Sequence, residues 1–402
     1  MSSTTTVSPV EAVRLPDPYP FYARLVAERP FAFDEALGAW VAADAAAVRA
    51  VLGSGVLRVR PVAEPVPAGI AGTAAGEVFG QLVRMTDGAA AARLKGAVAG
   101  ALAAADTAYA GELAARFTRE ALAAGGEVPY EELMFGVPAR VVAVLAGLTG
   151  GADREAARAI ADFVRCIPAT AGPEDREAAA VAAVRLRELL GPVLDSAAAA
   201  GPEGAPGSTP GAASGAGIRE GYGAGRAHGL LAGLVRAADR EGLVDLGPLL
   251  SNAIGFLSQT YDATAGLIGN TLVALARGAE APDTGALVRE VVRQDAPIQN
   301  TRRFAAGSFT HAGSTVEPGQ QLLVVLAAAN RDPAVNPDPH TLHPGRVNPV
   351  IFTFGAAAHR CPGERLAVAL ATAVVTELRT AGWSTTATPA YRPLANARIP
   401  LL

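Results

Sequence analysis

Apolar residues recur at three- and four-residue spacing along most of this chain, and strict alternation is confined to short stretches. The first pattern predicts amphipathic helices, the second half-buried strands. Helical spacing marks residues 106–125, 130–148, 152–165 and 175–199, and a shorter helix over 16–29. Residues 31–42 alternate on both sides of Gly38, which predicts a hairpin. Asp44 is placed to cap a helix reaching Leu52. Residues 55–75 are rich in Pro, Val and Gly, carry no period, and read as a long loop of the kind that often serves function. An Ala-rich helix begins after Met85-Thr86-Asp87-Gly88. Residues 246–278 are the longest helical candidate, of about 30 residues and hence roughly 45 Å. Strands near 303–305, 309–311 and 321–327, turns over 330–339, an apolar helix ending at Ala381-Gly382 and a strand pair within 383–402 complete the pattern. Residues 200–226 interrupt it with Gly, Pro and Ser and read as a flexible surface loop.

At 402 residues, half of them hydrophobic, the chain can bury a substantial core. Its formal net charge of -4 gives no basic footprint for nucleic acid. No apolar run reaches the length of a membrane span. The N-terminus lacks the charged-then-apolar order of a signal peptide, and two cysteines, Cys166 and Cys361, make no disulfide framework. These features predict a soluble, cytoplasmic protein.

The candidate chemistry gathers at a few places. Cys361 lies between a glycine-containing turn and an apolar helix, with Pro362 expected at the first helical position and Glu364 in the first turn. A thiolate at a helix start is stabilised by the dipole and free N–H groups, as a soft metal requires of a ligand. The alternative is a buried, inert cysteine. Asp262 stands mid-helix among apolar residues, and residues 259, 262, 263 and 266 share its face. A carboxylate there is costly unless it meets a wet pocket or a partner; the alternative is an ordinary solvated face. Glu290 and Arg293 also share a face, and alone would be a surface ion pair of little worth. His340, His343, His359 and Cys361 could make a zinc site, but that reading leaves Asp262, Glu290, Arg293, Arg303 and Arg346 without a role.

The stretch Phe354-Gly355-Ala356-Ala357-Ala358-His359-Arg360-Cys361-Pro362-Gly363 resembles the haem-binding loop of the cytochrome P450 superfamily, Phe-Gly-x-Gly-x-(His/Arg)-x-Cys-x-Gly. Phe354, Gly355, His359, Cys361 and Gly363 match, and Ala357 replaces a glycine. The resemblance implies haem b, with Cys361 as the proximal iron ligand. It extends to a Glu-x-x-Arg pair, Glu290 and Arg293, with Arg346 as third member of a structural triad, and to a β-region arginine that holds a haem propionate, Arg303 in preference to Arg302. His359 is expected on a propionate too. The family's His-x-x-x-Arg pair is here Ala91 and Lys95, so Lys95 would act as a point charge. Gln259, Ala263 and Ala367 are expected beside the cofactor.

The long helix resembles the family's distal helix, (Ala/Gly)-Gly-x-(Asp/Glu)-Thr-(Thr/Ser), with Asp262 as its acid and Thr264 as its last residue. Thr260 replaces the glycine, and Ala263 the threonine that manages proton delivery. A polar substrate group could complete that path, as in some macrolide hydroxylases of the family; Thr260, Gln259 or Thr264 could instead. The resemblance spans about residues 15–400 and implies one mainly α domain with small β-sheets (α+β) over 1–402, residues 1–14 being disordered. It further implies a monooxygenase of a small secondary-metabolite substrate, fed by a separate ferredoxin and ferredoxin reductase, with the pocket lined by residues 55–80 and by Cys166-Ile167-Pro168. A haem protein with a non-hydroxylating or lost activity is the alternative.

Overall fold

Fourteen α-helices and nine strands follow one another in the computed structural model, among the residues it describes, 7–124, 130–201 and 229–402. The loop expected at 200–226 lies outside them beyond residue 201. In chain order come α1 (Pro9–Ala12), α2 (Tyr19–Glu28), β1 (Phe31–Asp34), β2 (Ala39–Ala42), α3 (Ala45–Gly53), β3 (Leu57–Arg58), α4 (Ala74–Gln81), α5 (Ala89–Ala103) and α6 (Thr107–Ala123). Next are α7 (Val137–Leu145), α8 (Ala152–Val164), α9 (Pro173–Ala199), α10 (Leu230–Arg240), α11 (Leu246–Ala276) and α12 (Thr284–Gln294). The C-terminal part holds β4 (Thr301–Ala305), β5 (Phe309–His311), β6 (Ser314–Val316), β7 (Gln321–Val324), α13 (Leu326–Ala329), α14 (Glu364–Thr380), β8 (Ala390–Tyr391) and β9 (Pro400–Leu401).

Short polar side chains start many of these helices by satisfying orphan N–H groups. Asp44 accepts from Ala47 N–H before α3, Asp106 from Ala108 and Tyr109 before α6, Asp245 from Gly247 before α11, and Asp283 from Gly285 before α12. α11 runs through the middle of the helical body and packs on α4, α7, α8, α9, α12 and α14. The main core is built there, from residues such as Leu133, Ile160, Leu186, Leu257, Ile268 and Leu370.

A five-stranded sheet in the order β1-β2-β7-β4-β3 joins the two ends of the chain. β1 and β2 form the expected hairpin, β2 runs parallel to β7, and β4 is antiparallel to β7. β5 pairs with β6, and β8 with β9. A buried network ties the sheet side to the helices: Arg398 donates to Asp295 at 2.9 Å and to the carbonyls of Val13, Leu15 and Pro16, while Tyr19 donates to Asp295 at 2.6 Å.

Several expectations need correction. The segment 55–75 is not all loop, because Leu57 and Arg58 pair with Ala305 and Phe304. The strand expected over 321–327 ends at Val324, and a short helix follows. The helix expected from residue 130 opens with a π-helical turn, Glu132–Gly136, before α7. Disorder does not extend over 7–14: Ser8 caps α1, and Ala12 and Val13 are fully buried. Pro362 does not open the last helix; α14 begins at Glu364 with Gly363 as its N-cap.

Candidate active site

The segment that leads into the Cys361 loop is braced from behind by buried and half-buried polar side chains. Glu290 and Arg293, on α12, are buried and bonded twice, at 2.6 and 3.1 Å. Arg346 donates to the same Glu290 oxygen at 3.2 Å, as does the His343 N–H at 3.1 Å. The two guanidinium groups then satisfy carbonyls of the irregular segment: Arg293 those of Asn330, Pro339 and Thr341, and Arg346 those of Pro337, Asp338 and Thr341. Asn330 accepts from Phe352 N–H at 2.6 Å and donates to Thr353 Oγ1 at 2.7 Å, and that hydroxyl donates to the Val292 carbonyl on α12. Arg293, Glu290 and Arg346 thus hold the residues that lead into the cysteine loop.

Within the loop, Gly355 N–H donates to the Phe352 carbonyl and Cys361 N–H to the Phe354 carbonyl, both at 2.7 Å. Two residues take left-handed backbone, Gly355 at φ 69° and Ala357 at φ 51°. The first is free of penalty; the second puts a Cβ in a conformation that costs an alanine roughly 1–2 kcal/mol. Ala357 therefore adopts the turn that its glycine counterpart would, at some strain.

Cys361 is open on one side and crowded on the other. The crowding pushes its thiol up, against the Gly363 N–H and the nearby Lys95 and Arg360 charges that draw it down. Lys95, on α5, donates to the Arg360 carbonyl at 2.8 Å. His359 Nε2 lies 3.0 Å from Asp87 Oδ1, and Asp87 Oδ2 accepts the Val59 N–H at 3.0 Å. Burial pushes the Asp87 carboxyl up, but the His359 and Val59 contacts outweigh it and hold it below its ordinary range. Two groups expected on a propionate, Lys95 and His359, thus have partners inside the chain, because α5 and the stretch before it pack close to the loop.

Arg303 differs. It is buried while its neighbour Arg302 is exposed, as strand alternation requires. Its Nη1 donates to the Arg302 carbonyl at 2.7 Å and grazes Thr301 Oγ1 at 3.5 Å, and among the described residues no carboxylate forms an ion pair with it. A buried guanidinium short of an anion, and a braced thiol open on one side, fit a haem bound through its iron and one acidic side group. Phe354 and Ala367 flank the cysteine in the loop and on α14.

α11 has its own opening. Residues 251–258 and 264–273 are all buried, but Gln259 is exposed and residues 260–263 are partly so. Gln259 donates to the Gly255 carbonyl at 3.1 Å. Thr260 donates to the Phe256 carbonyl at 2.7 Å, so its hydroxyl is engaged along the helix. Thr264 is fully buried with no partner for its hydroxyl among the described residues. Tyr261 packs on Phe135, ring centroids 4.8 Å apart, and burial pushes its hydroxyl up to about 12. Burial raises the Asp262 carboxyl, opposed by Arg392 and Arg84. Ala263 offers no polar atom.

Arg84 is a residue that the pattern of the sequence did not single out, although a charge between Val83 and Met85 in an apolar run was the available signal. Cys166, at the end of α8, donates to the Phe163 carbonyl at 3.2 Å, and burial pushes its thiol up. His340, His343, His359 and Cys361 do not converge: among the described residues no group of three or more His, Cys, Asp or Glu side chains could hold a metal ion. No described helix is long and apolar enough to cross a membrane. A groove of about 720 Å³ lies behind the cysteine loop, bordered by α6, α12 and α14 and by Arg289, Arg346 and Arg365; it is separate from the open stretch of α11.

No family model matches the chain. Among curated relatives it is 34% identical over 151 residues to a cytochrome P450 sequence of Xylella fastidiosa, covering 35% of this chain and 38% of that one. It is likewise 34% identical over 151 residues to the 6-deoxyerythronolide B hydroxylase of Saccharopolyspora erythraea, covering 34% of this chain and 36% of the other. Each alignment thus spans little more than a third of the relative's own length. Among solved structures, CalO2 is similar over 99% of this chain and 97% of its own, with a TM-score of 0.76 and 25% identity. P450BioI, solved with an acyl carrier protein ligated to hexadec-9Z-enoic acid, is similar over 98% of both chains, with a TM-score of 0.76 and 20% identity. The braced cysteine loop, the Glu290–Arg293–Arg346 triad and these likenesses agree: the chain has the cytochrome P450 fold.

Proposed function

We propose that the chain is a haem-thiolate monooxygenase acting on a small molecule. The observation that carries the reading is the setting of Cys361, a thiol open on one side in a loop braced by a Glu–Arg–Arg triad whose Glu290–Arg293 pair is buried. Cys361 would ligate the iron of haem b and Arg303 would bind a propionate, with Lys95 and His359 bordering the group through Arg360 and Asp87. Haem so held supplies redox chemistry with dioxygen, favoured by the electron-rich thiolate. The chain's own part on the other side is proton handling. Asp262 sits in the open stretch of α11 with its carboxyl raised by burial, which suits a group that exchanges protons. With Thr260 bonded to Phe256, Thr264 fully buried and Ala263 apolar, neither threonine of this segment offers an uncommitted hydroxyl in the opening. A hydroxyl or amine of the substrate would complete the relay. Two curated relatives are named hydroxylases, of 6-deoxyerythronolide B and of vitamin D(3), and a secondary-metabolite substrate accords with the first.

Electrons would come from a separate ferredoxin and its reductase, docking behind Cys361 near Arg289 and Arg365. The missing hydroxyl at 263 also favours a second reading, in which the haem protein performs an oxidative coupling or rearrangement; product analysis with the true substrate separates the two. The primary test is spectroscopic. The reduced carbon-monoxide complex is expected to show the red-shifted Soret band of a thiolate ligand, lost in Cys361→Ser; an unchanged band in that variant overturns the assignment.

A further inference from the structure

The turn between α4 and α5 carries a cation that the proton-handling scheme does not use. Residues Val83–Met85 form a single 3-10 turn. It is clamped to α11: Asn252 accepts the Val83 N–H at 3.0 Å and donates to the Gln81 carbonyl at 2.8 Å, and Ser251 donates to Gln81 Oε1 at 2.7 Å. Arg84 therefore leaves a fixed stretch of backbone. The turn is thus bonded to α11 at Ser251 and Asn252, ahead of the open stretch, and the titratable groups that Arg84 senses are Asp262 on α11 and Cys166 after α8. Among the described residues it donates no hydrogen bond and forms no ion pair, and its Nε is sealed away without an acceptor. Burial draws it down to about 10, against Asp262 and Cys166, so it stays charged at neutral pH.

Arg84 is only partly buried, but its Nε is sealed from solvent without an acceptor; an unmatched sealed donor is costly, and a fold tolerates it where a partner arrives from outside. Asp262 does not fill the role, being outside ion-pair distance. Its neighbours in the chain, Val83 and Met85, are apolar and pack into or against the core. We propose that Arg84 anchors a carboxylate on the substrate, which is thus a small acid. A planar guanidinium matches a carboxylate with two parallel hydrogen bonds. A doubly charged phosphate fits worse, because Asp262 shares the space. The inference rests on the reading of this region as the place where a small molecule is oxidised, and it names that molecule's class.

The test is a calorimetric titration of the haem-loaded full chain with sodium decanoate and with neutral decanamide. Wild type is expected to bind the acid about tenfold or more tightly than the amide, the scale of a hydrogen bond to a charged group. Arg84→Gln should erase the preference by weakening decanoate alone, and Arg84→Lys should restore part of it. Equal affinity for acid and amide in wild type, no binding of decanoate up to millimolar concentration, or an unchanged preference in Arg84→Gln each overturns the proposal. The wild-type comparison stands even if a variant misfolds. A carbon-monoxide spectrum on the same samples separates the two readings: a thiolate band without acid preference overturns the anchor alone, and a missing band overturns the role of Cys361 whatever the titration gives.

Discussion

The loop before α14 and the middle of α11 belong to helices that pack on each other, yet they treat their polar groups in opposite ways. Behind Cys361, Glu290, Arg293, Arg346, Asn330 and Thr353 all find partners, most of them backbone groups. In the open stretch of α11, Asp262 has none among the described residues, and Arg84, which senses it from its turn, is equally unmatched. Saturated hydrogen bonding fixes a geometry, while unsatisfied groups in an opening are there to meet something else. The contrast separates the part of the site that must not move from the part that must recognise.

The largest expected effect is on the braced side. Glu290→Ala leaves Arg293 buried without its anion and Arg346 without its carboxylate partner; stranding a buried charge typically costs about 3–5 kcal/mol. Denaturant unfolding should show that loss, together with poor haem retention; a variant as stable as wild type would erase the contrast. On the open side the expected damage is to rate. Asp262→Asn should slow turnover by roughly 10²-fold, the scale for a lost proton-transfer group, with haem content unchanged. Ala263→Thr should retain haem and leave coupling to the true substrate no better.

Stability at Asp262 should move the other way. Its folded pKa is raised by burial despite Arg392 and Arg84, so the ionised form is a burden that protonation removes. Asp262→Asn should therefore melt higher than wild type near neutral pH. The gain should shrink as pH falls through the raised value toward the ordinary carboxylate range. A gain that persists in acid would mean that Asp262 is not held up by burial. The smallest effect tests strain in the braced loop: Ala357→Gly should stabilise the protein by up to about 1 kcal/mol, since glycine takes positive φ freely but loses more chain entropy on folding. A destabilised variant would show that the loop carries no strain at that residue.

Much of this was legible in the chain itself. α9 announces itself by period and α11 by its long apolar run, and two-residue alternation puts Arg302 and Arg303 on opposite faces of their strand. The Glu290–Arg293 spacing and the Cys361 loop are local, and local patterns survive without tertiary knowledge. What escaped is non-local. Leu57 and Arg58 are too few to show a period, and they become a strand only because residues 304–305 lie alongside. Asp87 reaches His359 across 272 residues, a contact no spacing displays. Arg84 was in plain view as a lone charge among apolar neighbours, but its unmatched state depends on α11 and the end of α8 arriving beside it.

The Arg398–Asp295–Tyr19 network has a consequence for the order of events in folding. Arg398 supplies the donors for the carbonyls of Val13, Leu15 and Pro16, some 380 residues earlier. Closing so long a span is slow, and contacts of that range form late. During synthesis the N-terminal segment leaves the ribosome with those carbonyls and Tyr19 waiting, and Asp295 joins them still lacking its cation. Only when Arg398 is translated does the arginine arrive that closes the knot, so residues 13–16 are sealed by a residue more than 380 positions later.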